Sequence, residues 1–283
     1  MTVKLITDST SDITGDLAKE LGVTVIPLTV SFGSDSYLDR IEMTTDEFYR
    51  RLSSENIFPK TTQPSPNKFA EAYDSLAAAK DTEGIIVIVI SGKLSGTYQS
   101  ATGAIEMTKA KCRIEVIDSL TTAMGLGLQV IAAANQAKSG AGFDEVLEAS
   151  TDRVSRAQPV MSFDTLKYLA KGGRIGKAAG LVGSLLSVKP ILTTKDGEVA
   201  PLTRVRSVAA GADYLYNFVA GHENIEGLAV EHATTPDAAD KLTERLGAIY
   251  PKEKIYRATV SPVLGTYMGP NVLSVSVLAG KKK

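Results

Sequence analysis

The chain carries one cysteine, Cys112, among 283 residues. That count excludes an internal disulfide framework and a multi-cysteine zinc site. The thiol sits just before an apolar run and reads as a buried, inert group. Histidine is nearly as scarce: His222 and His232 are the whole supply, which leaves little equipment for general-base chemistry. Long hydrophobic runs are also missing. The longest, Ile85–Ile90, falls far short of the roughly 20 residues that cross a bilayer. No long basic run occurs and the formal net charge is −1, so the electrostatic footprint of a nucleic-acid partner is absent. Lys281 to Lys283 read as a solvated tail. No signal-peptide hydrophobic region precedes Asp8. These absences lead us to expect a cytoplasmic protein with no transmembrane segment.

What is present is ordinary in amount and orderly in arrangement. Hydrophobic residues make up 43% of the chain, enough for one large core or two modest ones. Apolar β-branched runs at Val3–Ile6, Val23–Val30, Ile85–Ile90 and Ile114–Ile117 alternate with helical stretches at Asp12–Leu21, Thr45–Ser54, Asn67–Ala79, Thr97–Lys109 and Thr122–Lys138. Uninterrupted apolar strands between helices predict a parallel sheet covered on both faces. Ser139-Gly140-Ala141-Gly142 stops one helix and Phe143–Ser155 resumes as another.

After Pro159 the pattern changes. Ser162–Ala170 looks helical, Gly172-Gly173 breaks it, and Ala178–Ser187 looks helical again. Val188–Thr194 and Glu198–Arg204 flank Lys195-Asp196-Gly197, a hairpin signal because Asp-Gly suits a tight turn. Helices at Val208–Ala220 and Pro236–Ile249 and strands at Gly227–His232, Lys254–Val260 and Val272–Leu278 follow. The expectation is a two-domain α/β protein. Residues 1–157 would form an N-terminal, mostly parallel domain with head-group-binding loops, and 158–283 a C-terminal α+β domain. A monomer is expected, since no coiled-coil or swapped element stands out.

The informative residues lie at the carboxyl ends of the first-domain strands, where open parallel sheets bind ligands. These ends read Thr7-Asp8-Ser9-Thr10-Ser11-Asp12, Ser91-Gly92-Lys93-Leu94-Ser95-Gly96-Thr97 and Asp118-Ser119-Leu120-Thr121-Thr122. Hydroxyls and helix N-termini there suit a small anion, although Ser, Thr and Asp are equally ordinary helix caps. Lys60-Thr61-Thr62-Gln63-Pro64-Ser65-Pro66 adds hydroxyls on a backbone stiffened by proline.

Lys171-Gly172-Gly173-Arg174-Ile175-Gly176-Lys177 offers close backbone approach and, in Arg174, a fork for a carboxylate or phosphate; it also reads as a plain helix–helix turn. Ser95 is misplaced for the nucleophile elbow of hydrolases, Leu94 stands where a P-loop needs Ser or Thr, and no cluster has metal-ligand spacing. The residues equip the chain to hold a ligand, with no catalytic or metal site expected.

At these same segments, together with Val25-Ile26-Pro27-Leu28, Lys189-Pro190-Ile191-Leu192 and Gly265-Thr266-Tyr267-Met268-Gly269-Pro270, the sequence resembles the DegV family, in order over nearly the whole chain. The resemblance implies two α/β domains, no cofactor, and a tunnel for a long-chain, hexadecanoate-like fatty acid. It implies that Thr62 and Ser95 hydrogen-bond the carboxylate, and it points to an ATP-dependent fatty-acid kinase subunit as partner, with the chain itself a non-catalytic subunit.

Tyr267 stands where the family usually has His, and Asn271 where it usually has Gly. A phenol can donate to a carboxylate but cannot carry charge near neutral pH, so ligand binding is expected to survive more securely than kinase coupling. Arg174, Arg204 and Arg206 are candidates for contact with the head group or the partner, and the Ala178–Val188 segment is available to the tunnel. Roughly fifteen methylenes at ~0.8 kcal/mol each give a gross ~12 kcal/mol before ordering costs, so the tail supplies affinity and the hydroxyls orientation. Other readings are a stand-alone hydrolase or transferase using Ser95 and a lipid-dependent sensor.

Overall fold

A computed structural model describes residues 2–181 and 188–281. The apolar runs of the first half form a four-stranded, all-parallel sheet. Its strands are β1 (Thr2–Asp8), β2 (Val23–Ile26), β6 (Thr82–Val89) and β7 (Arg113–Asp118), in the order β2-β1-β6-β7. Three further strands, β3 (Thr29–Phe32), β4 (Asp35–Leu38) and β5 (Lys60–Thr62), make a small antiparallel sheet in the order β4-β3-β5. The expected single strand Val23–Val30 is therefore two. Pro27 lacks the N–H that would continue the ladder, and after it the chain turns into the second sheet.

The second half builds a six-stranded mixed sheet, β10-β9-β8-β13-β11-β12. Its members are β8 (Ala157–Ser162), β9 (Lys189–Lys195), β10 (Glu198–Val205), β11 (Ile225–His232), β12 (Ile255–Thr259) and β13 (Leu273–Ala279). Only β11 and β12 run parallel. The β9–β10 hairpin turns at Asp196 and Gly197, which have φ of 54° and 82°, the doubly left-handed backbone that an Asp-Gly turn supplies. Strand β8 was not expected, because Pro159 reads as a break. It is tolerated since pairing with β9 begins only at Val160. The helix expected at Ser162–Ala170 is correspondingly shorter, Lys167–Lys171. Of the helix expected at Ala178–Ser187, the described part, to Leu181, belongs to a short 3-10 helix, Gly176–Leu181; the rest, with much of the apolar segment assigned to the tunnel, falls on residues 182–187, outside the described residues.

Three apolar layers hold the sheets. One face of the parallel sheet packs Ile85, Val87 and Val89 under the helices Pro66–Ala77 and Thr97–Gly103. The far face of the six-stranded sheet packs Val230, Val275 and Val277 under Val208–Ala220 and Pro236–Leu246. Between the sheets lies the largest cluster, centred on the helix Ala123–Lys138, which touches β1 as well as β8, β11 and β13. Eleven of its sixteen residues are buried, so this helix has no solvated face to speak of, as befits one wedged between two sheets. Among the described residues no helix is long and apolar enough to cross a membrane.

Candidate functional site

The carboxyl ends of β1, β6 and β7 do converge, but most of their polar groups are occupied in holding the loops. Asp8 accepts from Thr10 through one carboxylate oxygen and from the Ile90 N–H, at 2.8 Å, through the other. It thereby ties the end of β1 to the end of β6, and burial pushes its carboxyl up to about 6. Ser9 accepts from the Leu28 N–H, Ser91 donates to the Gly197 carbonyl, and Asp118 accepts from the N–H groups of Gly92 and Leu120. For these residues the capping role is the one realised.

What the loops leave open is a narrow pocket with about 70 Å³ of free space, less than the usual small-ligand site holds. Its walls are apolar and come from every part of the fold: Leu28, Ile90, Met161, Phe163, Val199 and Leu264. Polar groups face it at Thr10, Thr61, Gln63, Ser95, Thr122, Arg174 and Tyr267.

Four of these form one group. The Ser95 hydroxyl shares a 2.9 Å hydrogen bond with that of Thr97 and is half-buried. Thr61 shares a hydrogen bond with the Tyr267 phenol. Arg174 reaches back to the Leu94 carbonyl at 3.3 Å and lays its guanidinium 5.2 Å from the Tyr267 ring centre. Arg174 also donates to the Gly172 carbonyl at 2.9 Å, so backbone carbonyls hold its guanidinium at the mouth. Glycines make this convergence possible at two points. A Cβ on Gly172 would sit 2.4 Å from the Tyr267 ring, and one on Gly96 2.7 Å from the Gln63 amide.

Of the residues singled out in the sequence, Ser95, Tyr267 and Arg174 thus meet at one site. Thr62 does not join them. In β5 successive side chains point to opposite faces, and it is Thr61 that faces the pocket while Thr62 is exposed. The resemblance located the dipeptide; only the pairing of Thr61 with Val30 on β3 selects its face. Arg204 and Arg206 are exposed and stand apart from the pocket. The two histidines are elsewhere: His222 bonds the Phe218 carbonyl, and His232 is depressed by burial at the end of β11. Among the described residues no group of His, Cys, Asp and Glu is placed to hold a metal. Asn271, at φ 60°, donates its N–H to Thr234, on the flank of the helix end rather than in the pocket.

With this geometry in place, comparison with known proteins is direct. The model of a family of uncharacterised proteins, DegV, matches residues 2–280. The chain belongs to the DegV family. A DegV domain-containing protein of Caldanaerobacter subterraneus is 35% identical over 277 residues, covering 96% of this chain and 97% of its own. Among solved structures, a fatty-acid-binding DegV family protein of Thermus thermophilus is 32% identical with a TM-score of 0.88, covering 99% of this chain and all of its own. DegV of Bacillus subtilis, a fatty-acid-binding protein, is 28% identical with a TM-score of 0.86 over the same shares. The DegV fold, a parallel sheet joined to a larger mixed one, is the fold described above.

Proposed function

We propose that this protein binds a long-chain fatty acid, with the carboxylate at the pocket mouth and the acyl chain along the apolar walls. One observation carries the reading: hydroxyls of Ser95, Thr61 and Tyr267 and the Arg174 guanidinium line the same pocket as the apolar side chains of Leu28, Ile90, Met161 and Leu264. Buried apolar contact supplies affinity without direction, while a charge-assisted contact from Arg174 and two or three hydroxyl bonds fix the head group. In this reading residues 1–157 bring Thr61 and Ser95, and residues 158–283 bring Arg174, Tyr267 and the remaining wall. The fatty-acid-binding relatives support it.

The finer part of the proposal is presentation of the bound acid, in the cytoplasm, to a separate ATP-dependent kinase subunit. Its support is a surface suited to a partner. Arg204 and Arg206 lie exposed on and beside β10, an edge strand. They are flanked by Leu202 on the strand and Val208 at the start of the next helix, which are 43% and 57% exposed; a mixed apolar and arginine surface of this kind is typical of interfaces. Ser95 bonds a threonine hydroxyl and faces no histidine, which favours binding over hydrolysis.

Mass spectrometry of the purified protein, native and then solvent-extracted, tests the ligand. The expected result is one long-chain fatty acid per chain. A protein that is empty and takes up no added fatty acid would refute the proposal.

A further inference from the structure

Ser95 and Arg174, which meet at the pocket mouth, stand on two separate turns. Ser95 belongs to residues 90–96, between β6 and the helix Thr97–Gly103. That turn is wound on Ser91. The Ser91 carbonyl accepts from the N–H groups of Leu94 and Ser95, at 2.9 and 3.1 Å, and the Ser91 hydroxyl accepts from the Lys93 N–H. Arg174 belongs to residues 172–175, between the helix Lys167–Lys171 and the 3-10 helix Gly176–Leu181. The tip of the β9–β10 hairpin, Asp196-Gly197-Glu198, touches both turns.

Its central contact is buried. The Ser91 hydroxyl, fully shut off from solvent, donates to the Gly197 carbonyl at 2.8 Å. On either side of that bond Glu198 pairs with Lys93 at 3.5 Å, and Asp196 pairs with Lys177, just past the turn of Arg174, at 2.9 Å. The two ion pairs are largely exposed and contribute little. Loss of the buried bond would instead leave a polar group without its match. Gly197 fits only as glycine: its φ is 82°, and a Cβ there would lie 2.6 Å from the Ser91 oxygen. The Asp-Gly turn that closes the hairpin therefore also lets its backbone come within hydrogen-bond reach of the first half of the chain.

A carboxylate has two oxygens to place and an alcohol one. To engage Ser95 and Arg174 together, a carboxylate needs their spacing held to within about 0.5 Å; a lone hydroxyl can follow either. We propose that Ser91 and Gly197 are positioning residues, whose bond pins the hairpin tip against the turn of Ser95 and so fixes the spacing of Ser95 and Arg174 that tells a carboxylate from a neutral head group. Neither residue lines the pocket, so both act through those that do. The proposal rests on the fatty-acid reading of the pocket.

The test is titration with hexadecanoic acid and with hexadecanol, of the wild type, Ser91→Ala, Gly197→Ala and the double variant. Thr121→Val is the control. The Thr121 hydroxyl shares a 2.9 Å hydrogen bond with that of Thr194 on β9, so its loss weakens the junction with the same hairpin without removing a bond from the turn of Ser95. Ser91→Ala and Gly197→Ala are each expected to weaken acid binding about 3- to 10-fold, the worth of about one hydrogen bond, and to leave hexadecanol nearly unchanged. The double variant is expected to lose no more acid affinity than the weaker single one, because both changes break one contact. Thr121→Val is expected to lower Tm and keep the ratio of the two affinities. Equal losses for the two lipids, an unchanged acid affinity, additive losses in the double variant, or a Thr121→Val ratio shifted as far as that of Ser91→Ala would each overturn the positioning role. Should Ser91→Ala not fold, Gly197→Ala reads the same contact from the hairpin. If the wild type binds neither lipid, it is the fatty-acid reading that fails.

Discussion

The phenolic oxygen of Tyr267 and the hydroxyl of Thr61 lie 2.5 Å apart, joining residues 206 positions distant in the chain. This bond closes the pocket mouth between an edge strand of the small sheet and the last helix before β13. It also places a phenol, able to donate or accept a hydrogen bond, at the pocket mouth.

Thr61 and Thr62 can be separated by experiment. Thr61→Val should weaken hexadecanoic acid binding about 3- to 10-fold, the worth of about one hydrogen bond, because its hydroxyl faces the pocket. Thr62→Val should leave affinity unchanged. Isothermal titration of both variants checks this; a larger loss at Thr62 would mean the strand presents its other face to the ligand.

Arg174 should read charge alone. Arg174→Ala is expected to cost about 1.5–3 kcal/mol in binding the acid and almost nothing for an alcohol of equal length. Equal losses for the two ligands would show that the arginine acts by shaping the mouth and not by pairing with the carboxylate.

Gly172 should be intolerant of a single methyl. A Cβ there would overlap the Tyr267 ring, so Gly172→Ala is expected to cost about 1–3 kcal/mol in stability, along with weaker ligand binding. Thermal unfolding and titration of the same sample measure both. Gly173→Ala makes a useful contrast, since nothing lies within 4 Å of its Cβ position and its penalty arises from φ of 73° alone.

Stability should fall as pH rises from about 4 toward 7. Asp8 and Asp39 carry folded-state values of about 6 and about 7, above their ordinary 3.8. The folded chain therefore holds more protons than the unfolded one across that window, and the contribution is fully present only below it. For Asp39 the shift corresponds to a loss on the order of 4 kcal/mol. Asp39→Asn should flatten much of the decline in Tm between pH 5 and pH 8; an unchanged decline would place its cause elsewhere.

Most of the fold was legible because its signals are local. Ile85–Ile90 could hardly be other than a buried strand, and Asp196-Gly197 marked its hairpin. β8 was missed because Pro159 argues locally against a strand, and the argument fails only because the neighbouring strand stops one residue short of it. The small sheet was missed for a related reason: β4 and β5 are short, half-exposed and polar, and only pairing with β3 makes them strands.

At the site, the residue types were visible and the faces were not. Thr61 and Thr62 are indistinguishable until the register is known. The buried cluster of Asp12, Asp39 and Glu231 around Arg40 left only scattered traces, Asp12 in the loop after β1 and the acidic Glu231 closing the apolar run Leu228-Ala229-Val230. Its partners come from three sheets, which no spacing rule brings together.

The pocket wall has its own bearing on the protein's lifetime. Leu28, Ile90, Met161, Val199 and Leu264 come from both halves of the chain and from the turn into the small sheet. An acyl chain lying among them would act as a splint. Any ligand that binds the folded chain alone adds to its stability, by about 2.7 kcal/mol at a hundred times its dissociation constant. On the proposed fatty-acid reading, a chain without its ligand would unfold more often and meet proteases more often, so its abundance would follow the supply of that ligand.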